Sequence, residues 1–124
     1  MAVTVLSAGR DATLLKTRNE ILSSSGCIVT SALSTSDLVN LFFDGDFDLL
    51  VICHTIPLEE RHRLLRLARF YRPSLMVFLV NDHEAFQAVD AKVQRQANEM
   101  RIPPTPEALV TAVQSAFPRL PLSA

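Results

Sequence analysis

The sequence predicts an α/β protein built on a five-stranded parallel sheet with helices on both faces, a doubly wound arrangement of three layers. Short runs rich in apolar or β-branched residues alternate along the 124-residue chain with longer segments whose apolar residues recur every three or four positions. Two of the runs, Leu49–Cys53 and Leu75–Val80, are apolar throughout, which is typical of strands covered on both faces. Strands that alternate with helices form parallel sheets through right-handed crossovers, so both observations predict the same fold class.

Five segments have the composition of strands. Four are apolar or β-branched runs, and the fifth is short and charged, so we expect it at an edge of the sheet. In chain order the predicted strands are Val3–Ala8, Cys27–Ala32, Leu49–Cys53, Leu75–Val80 and Met100–Ile102.

Five further segments have helical spacing. Asp11 is placed to cap the first helix and Gly26 to end it, and the third and fifth helices open with a proline, which a first turn tolerates. The predicted helices are Ala12–Ser24, Ser36–Phe43, Pro57–Tyr71, Glu84–Asn98 and Pro106–Phe117. Five strand–helix units in a chain of this length match the flavodoxin-like strand order 2-1-3-4-5.

The composition limits the classes of function. Hydrophobic residues make up 48% of the chain and charged residues 20%, as in an ordinary soluble protein, and we expect one domain over residues 1–124 with a frayed tail. A formal net charge of −1 provides no general attraction to nucleic acid or to an anionic membrane. The apolar runs are too short to span a bilayer and the N-terminus lacks a secretory pattern, so we expect a cytoplasmic protein without a membrane partner.

Four segments resemble one known family. Asp48–Pro57 reads Asp, four apolar residues, Cys, three further residues and Pro, and response-regulator receiver domains (the CheY-like family) have this pattern with a second Asp in place of the Cys. Leu14–Gly26 resembles their first helix and the turn into their second strand. Pro73–Asn81 is similar to their fourth strand, and Pro103–Leu109 to the entry of their fifth helix. The resemblance covers nearly the whole chain and implies the flavodoxin-like fold together with a regulatory role in two-component signal transduction.

The residues that carry out phosphoryl transfer in that family are replaced here. The resemblance places its phosphoacceptor aspartate at Cys53 and its two magnesium-binding acids at Gly9 and Arg10. Asp11 is then the one carboxylate beside them in the sequence. Arg10 either occupies the position of the missing metal and pairs with Asp11 or Asp82, or is an exposed loop arginine, and the sequence leaves both possibilities open.

The remaining positions of the family's site are changed as well. Its strand-four hydroxyl residue corresponds to Asn81, and its strand-five lysine to Ile102, although the adjacent proline is kept as Pro103. The degenerate pocket implied by the resemblance comprises Gly9, Arg10, Asp11, Cys53, Asn81, Ile102 and Pro103.

These replacements imply a degenerate receiver, or pseudo-receiver. Phosphoryl transfer to an aspartate requires a carboxylate nucleophile, a divalent ion held by oxygen ligands and a cation near the developing charge. We therefore expect no Mg²⁺ binding, no other cofactor and no enzymatic activity. We expect instead a phosphorylation-independent module that binds a protein of a signalling pathway, with a homodimer as an open alternative.

Cys53 also supports a second interpretation, a redox switch or an unorthodox phosphoryl acceptor. A reactive thiol needs a nearby cation, which Arg10 or His54 could provide. The simpler interpretation is a small apolar residue that ends a buried strand. We expect Cys27 to be buried in the same way, because neither cysteine has the spacing of a disulfide or metal motif.

The third predicted helix is rich in arginine. Its stripe toward the sheet is predicted to be Leu64, Leu67, Ala68 and Tyr71. Two apolar side chains, Leu65 and Phe70, then lie outside the stripe with the arginines, on a face that is either solvated or a protein interface. Nucleic-acid binding through this helix is a further alternative, which the overall charge disfavours. The candidate partner surface comprises Arg61, Arg66, Arg69, Phe70 and Arg72.

Overall fold

The computed structural model describes residues 3–80, 94–96 and 98–118, and of residues 94–96 the backbone alone. Within these ranges the chain forms six strands and four helices. The strands are β1 (Val3–Ala8), β2 (Cys27–Ala32), β3 (Leu49–Ile52), β4 (Met76–Val80), β5 (Gln94–Gln96) and β6 (Glu99–Ile102). The helices are α1 (Ala12–Ser24), α2 (Thr35–Asp44), α3 (Leu58–Tyr71) and α4 (Pro106–Ala116).

Local side-chain chemistry determines where the helices begin and end. The Asp11 carboxylate accepts hydrogen bonds from the backbone N–H groups of Thr13 (3.0 Å) and Leu14 (3.1 Å), as predicted for the cap of α1. Gly26 has a φ of 93°, a conformation that favours glycine, and it turns the chain from α1 into β2. The Thr105 hydroxyl accepts from the N–H of Ala108 (3.2 Å) at the start of α4. Such caps explain why the predicted boundaries agree with the observed ones to within one residue here.

The strands form a sheet in the order β2-β1-β3-β4-β6-β5, in which the first five are parallel. The predicted flavodoxin-like order 2-1-3-4-5 is confirmed, with β6 as its fifth strand. Ala8 pairs with both Ala32 and Ile52 in the register of the sheet. The carboxyl ends of β1, β2 and β3 therefore meet at one edge, where ligands bind in sheets of this kind.

One predicted element is wrong where the structure describes it. Residues 94–96, assigned to the end of the helix Glu84–Asn98, form β5, which pairs antiparallel with β6. The rest of that predicted helix lies outside the described residues. The segment has no apolar residue to continue a helical stripe, and its backbone can pair with β6, so that the predicted edge strand gains a second neighbour.

The core lies on both faces of the sheet, since neighbouring residues of a strand point to opposite sides. Val5 belongs to a cluster that contains the inward faces of α1 and α4, and Leu6 to a cluster that contains those of α2 and α3. This is the predicted three-layer arrangement. Among the described helices, each is too short or too polar to cross a membrane.

Candidate functional site

The predicted pocket lies where β1 and β3 end. The backbone N–H of Cys53 donates to the carbonyl of Ala8 (3.0 Å), which continues the strand pairing by one residue. Gly9 packs so closely that a Cβ atom on it would lie 3.2 Å from Cys53 Cβ and 3.3 Å from Thr55 Oγ1. The backbone N–H of Arg10 donates to the same Thr55 hydroxyl (2.9 Å). The fold thus brings Gly9, Arg10 and Cys53 together, with little space between the two strand ends.

A buried guanidinium group contacts this pocket from α1. The side chain of Arg18 is 9% exposed, and its Nη1 donates to Cys53 Sγ over 2.9 Å. Cys53 itself is 1% exposed, in agreement with a buried strand end. A guanidinium group keeps its proton in proteins, so a permanent positive charge faces the thiol.

The contact between Arg18 and Cys53 was not predicted, although the sequence contains a signal for Arg18. This arginine lies three residues after Leu15 and four before Leu22, and these three are the buried residues of α1. A charged residue inside an apolar repeat is a candidate for a buried functional group. Its partner could not be inferred, because Cys53 is 35 residues away.

Arg10 does not pair with the residue that the sequence suggested. Its guanidinium group forms an ion pair with Glu60 on α3 and contacts Thr35 Oγ1 (3.4 Å). Of the possibilities that the sequence left open, the pairing with Asp11 does not form, since that carboxylate caps α1, and Asp82 lies outside the described residues. Arg10 is exposed, so it links two helices at the rim rather than filling the pocket.

The described residues of the pocket do not fit a magnesium ion. Mg²⁺ requires an octahedron of oxygen ligands, usually with carboxylates among them. The Asp11 carboxylate caps α1, the Glu60 carboxylate pairs with Arg10, and Gly9 has no side chain to offer. Arg18 adds a positive charge nearby. Over residues 3–80 and 98–118, no group of three His, Cys, Asp or Glu residues could hold a metal ion.

A cavity beside Arg18 has largely apolar walls. Ile102 is fully buried at the end of β6, and Pro103 follows it. Both line a cavity of about 180 Å³ together with Val80 and Arg18. The position that the resemblance assigns to a lysine therefore carries no charge, and the cation comes from α1 instead. Asn81 lies outside the described residues.

The orientation of α3 differs from the predicted one. Leu64 and Ala68 are buried as expected, but Tyr71 is 55% exposed and Leu65 packs against the core. The observed inward face is rotated by roughly 60° from the predicted stripe, at about 100° per residue. Apolar residues occur on three sides of this helix, so spacing alone does not determine which side faces the sheet.

This rotation turns two of the predicted surface arginines toward the protein. Arg69 donates to the backbone carbonyls of Leu75 and Asn98, each over 2.8 Å. Arg72 donates to the carbonyl of Gly45 (2.7 Å). The guanidinium groups of both arginines are therefore engaged within the chain, where they satisfy carbonyl groups of the loops around α3.

The exposed surface of α3 carries aromatic side chains as well as basic ones. Arg61 is half-buried, whereas Arg66 and Phe70 stay exposed as predicted. Phe70 contacts Tyr71 edge to face with ring centroids 4.9 Å apart, and Tyr71 contacts Phe43 of α2 in the same way over 5.0 Å. We call these three exposed rings the aromatic ladder. The sequence did not reveal it, since Phe43 lies on another helix and Tyr71 was assigned to the inward stripe.

Solved structures show which fold this chain has. No protein-family model matches the sequence, and no curated protein matches it. Solved structures match over nearly the whole chain. A response regulator receiver domain protein (CheY-like) from Methanospirillum hungatei JF-1 shares 19% identity at a TM-score of 0.73, covering 93% of each chain.

Two further structures give the same result. A response regulator receiver domain protein from Clostridium thermocellum shares 20% identity at a TM-score of 0.74, covering 94% of this chain and 95% of its own. The response regulator protein TrrA from Thermotoga maritima, solved in complex with Mg(2+)-BeF, shares 14% identity at a TM-score of 0.75, with 93% and 99% covered. The chain has the fold of CheY-like response regulator receiver domains.

Proposed function

We propose that this chain, with its receiver fold, is a regulatory module that binds a protein partner and operates without accepting a phosphoryl group. The observation that carries the proposal is the contact of the buried Arg18 guanidinium with Cys53 Sγ. At the position where the receiver pattern has its acceptor aspartate, a thiol is engaged by a side chain of the protein itself.

The chemistry of the surrounding residues supports this proposal. Phosphoryl transfer to an aspartate depends on a carboxylate nucleophile and on metal ligands that position the donor. Here Gly9 packs against Cys53 without offering a side chain, the Asp11 carboxylate caps a helix, and Ile102, at the position of the family's lysine, is fully buried and uncharged. Cys53 is 1% exposed, so a donor would also have to displace the packing around it.

The proposed binding surface is the outward side of α2 and α3. The aromatic ladder offers three rings to solvent, and Arg66 is exposed next to it. Aromatic and arginine side chains contribute most of the binding energy in many protein interfaces. Binding of a polyanion is less well supported, because Arg69 and Arg72 use their donors within the chain.

The phosphorylation part of the proposal is tested with a small acyl phosphate. The full chain is incubated with acetyl phosphate and Mg²⁺ beside a receiver domain that keeps the complete acidic site, and intact masses are measured. We expect the control to gain one phosphoryl group and this chain to keep its mass. A stable gain that disappears in Cys53→Ser would refute the proposal in favour of a cysteine phosphoryl acceptor.

A further inference from the structure

The aromatic ladder is a preformed, solvent-exposed surface. Phe43, Tyr71 and Phe70 are 49%, 55% and 79% exposed, and each ring is held by an edge-to-face contact with the next. The ladder continues inward, since Phe43 also contacts the buried Phe42 with centroids 5.3 Å apart. Rings fixed in this way lose little conformational entropy on binding, which favours their use in an interface.

The two ends of the ladder carry opposite charges. At one end, exposed Asp44 directly follows Phe43 in α2. At the other end, exposed Arg66 lies four residues before Phe70, on the same face of α3 one turn away. An exposed acid thus adjoins Phe43 in the sequence, and an exposed base lies one helical turn from Phe70.

We propose that this surface binds a second copy of the chain in a two-fold symmetric dimer. A two-fold axis through the middle of the ladder reverses its direction, so that Asp44 of each copy faces Arg66 of the other while the rings pack together. A partner with charges of one sign would be repelled at one of the two ends. The formal net charge of −1 provides little long-range repulsion between two copies.

The inference rests on the proposed function, because it names a partner for the binding surface proposed there. Three rings and two charge pairs make a small interface, and we expect a dissociation constant on the order of 10–100 μM. Sedimentation velocity of the full chain over a range of concentrations measures it. We expect Phe70→Ser to weaken self-association at least about tenfold.

The charges provide a sharper test, because exposed residues can be exchanged without disturbing the fold. Arg66→Asp and Asp44→Arg should each weaken self-association about tenfold through like-charge repulsion, and the two substitutions combined should restore it. The matched control is Leu58→Ser at the other end of α3, where the side chain is 56% exposed. It should leave the dissociation constant unchanged.

Three results would overturn the dimer. The chain could stay monomeric up to a concentration of about 1 mM. Self-association could be unchanged in Phe70→Ser, or the combined Arg66→Asp and Asp44→Arg substitutions could fail to restore the self-association that each weakens alone. The phosphodonor experiment is independent of these results. A monomer that accepts no phosphoryl group would assign the surface to a different protein, and a dimer that accepts one would overturn the proposed function alone.

Discussion

At the scale of single residues, Arg18 and Cys53 define the pocket. A buried guanidinium group loses its hydration, and the loss costs several kcal/mol unless nearby groups compensate it. A thiol is a weak hydrogen-bond acceptor and a carboxylate is a strong one. A carboxylate at position 53 would extend one bond further than the thiol does, toward the guanidinium group that now contacts Sγ over 2.9 Å. The pocket therefore has a cation in place, and a thiol rather than a carboxylate at the position that faces it.

This arrangement leads to a prediction for Cys53→Asp. With Arg18 present, the new carboxylate should form a buried ion pair, and we expect a loss of unfolding free energy below about 1 kcal/mol. In the Arg18→Met background the same substitution should cost about 3–5 kcal/mol, because the buried charge has lost its partner. Urea denaturation at neutral pH of the four proteins in this double-mutant cycle measures the difference. Equal losses in both backgrounds would mean that the contact has no energetic importance.

Cys27 allows a prediction about pH. Burial raises the pKa of its thiol above the ordinary value of 9.0. Above that value the unfolded chain loses the proton before the folded chain does, so the free energy of unfolding falls as pH rises. The decline should be steeper in the wild type than in Cys27→Ala, by at most about 1.4 kcal/mol per pH unit. Urea denaturation from about pH 8 to 10.5 measures both slopes, and parallel curves would contradict the assignment.

At the scale of elements, α3 has two kinds of arginine that look alike in the sequence. Arg69 has a quarter of its side chain exposed and holds the entry of β4 and the turn before β6 through the carbonyls of Leu75 and Asn98. Arg63 is exposed on the same helix. The first stabilises the connection between α3 and the sheet, and the second contributes mainly solubility.

We therefore expect Arg69→Met to lower the unfolding free energy by about 2 kcal/mol, since it leaves part-buried carbonyl groups without their charged donor. Arg63→Met is the matched control and should change stability by less than about 0.5 kcal/mol. Thermal and urea denaturation at low protein concentration compare the two without interference from self-association. A loss in Arg63→Met as large as that in Arg69→Met would show that the contacts of Arg69 are not the cause.

At the scale of the whole molecule, stability is distributed unevenly across the sheet. All four residues of β3 are buried and both of its edges are paired, by β1 and β4. In β2, which pairs with β1 along one edge, Ile28 is 59% exposed. A strand that is covered on all sides opens only when the molecule unfolds, whereas an outer strand can open locally.

Hydrogen exchange should reveal this difference. We expect the amides of β3 to exchange at least about tenfold more slowly than those of β2 in the native protein. Exchange followed by peptide mass spectrometry resolves the two strands, because they lie in separate parts of the sequence. Protection of β2 equal to that of β3 would indicate that something covers the outer strand in solution, and a concentration series would then show whether that cover is a second copy of the chain.

The sequence alone was sufficient for those features that depend on near neighbours in the chain. Asp11 caps its own first turn and Gly26 ends the same helix, and these local rules located α1 to the residue. The alternation of apolar runs with helical repeats predicted the order of the parallel strands, since parallel strands need crossovers. The resemblance to receiver domains likewise depended on spacing within segments.

Only the tertiary structure decided the features that join distant segments. Arg18 meets Cys53, Arg10 meets Glu60, and Phe43 meets Tyr71 because the fold brings together residues far apart in the chain. The rotation of α3 belongs to the same group, since its apolar residues fit more than one inward face until the neighbouring layers select one. Periodicity describes an element, but which side of it is buried depends on the free energy of packing the whole core.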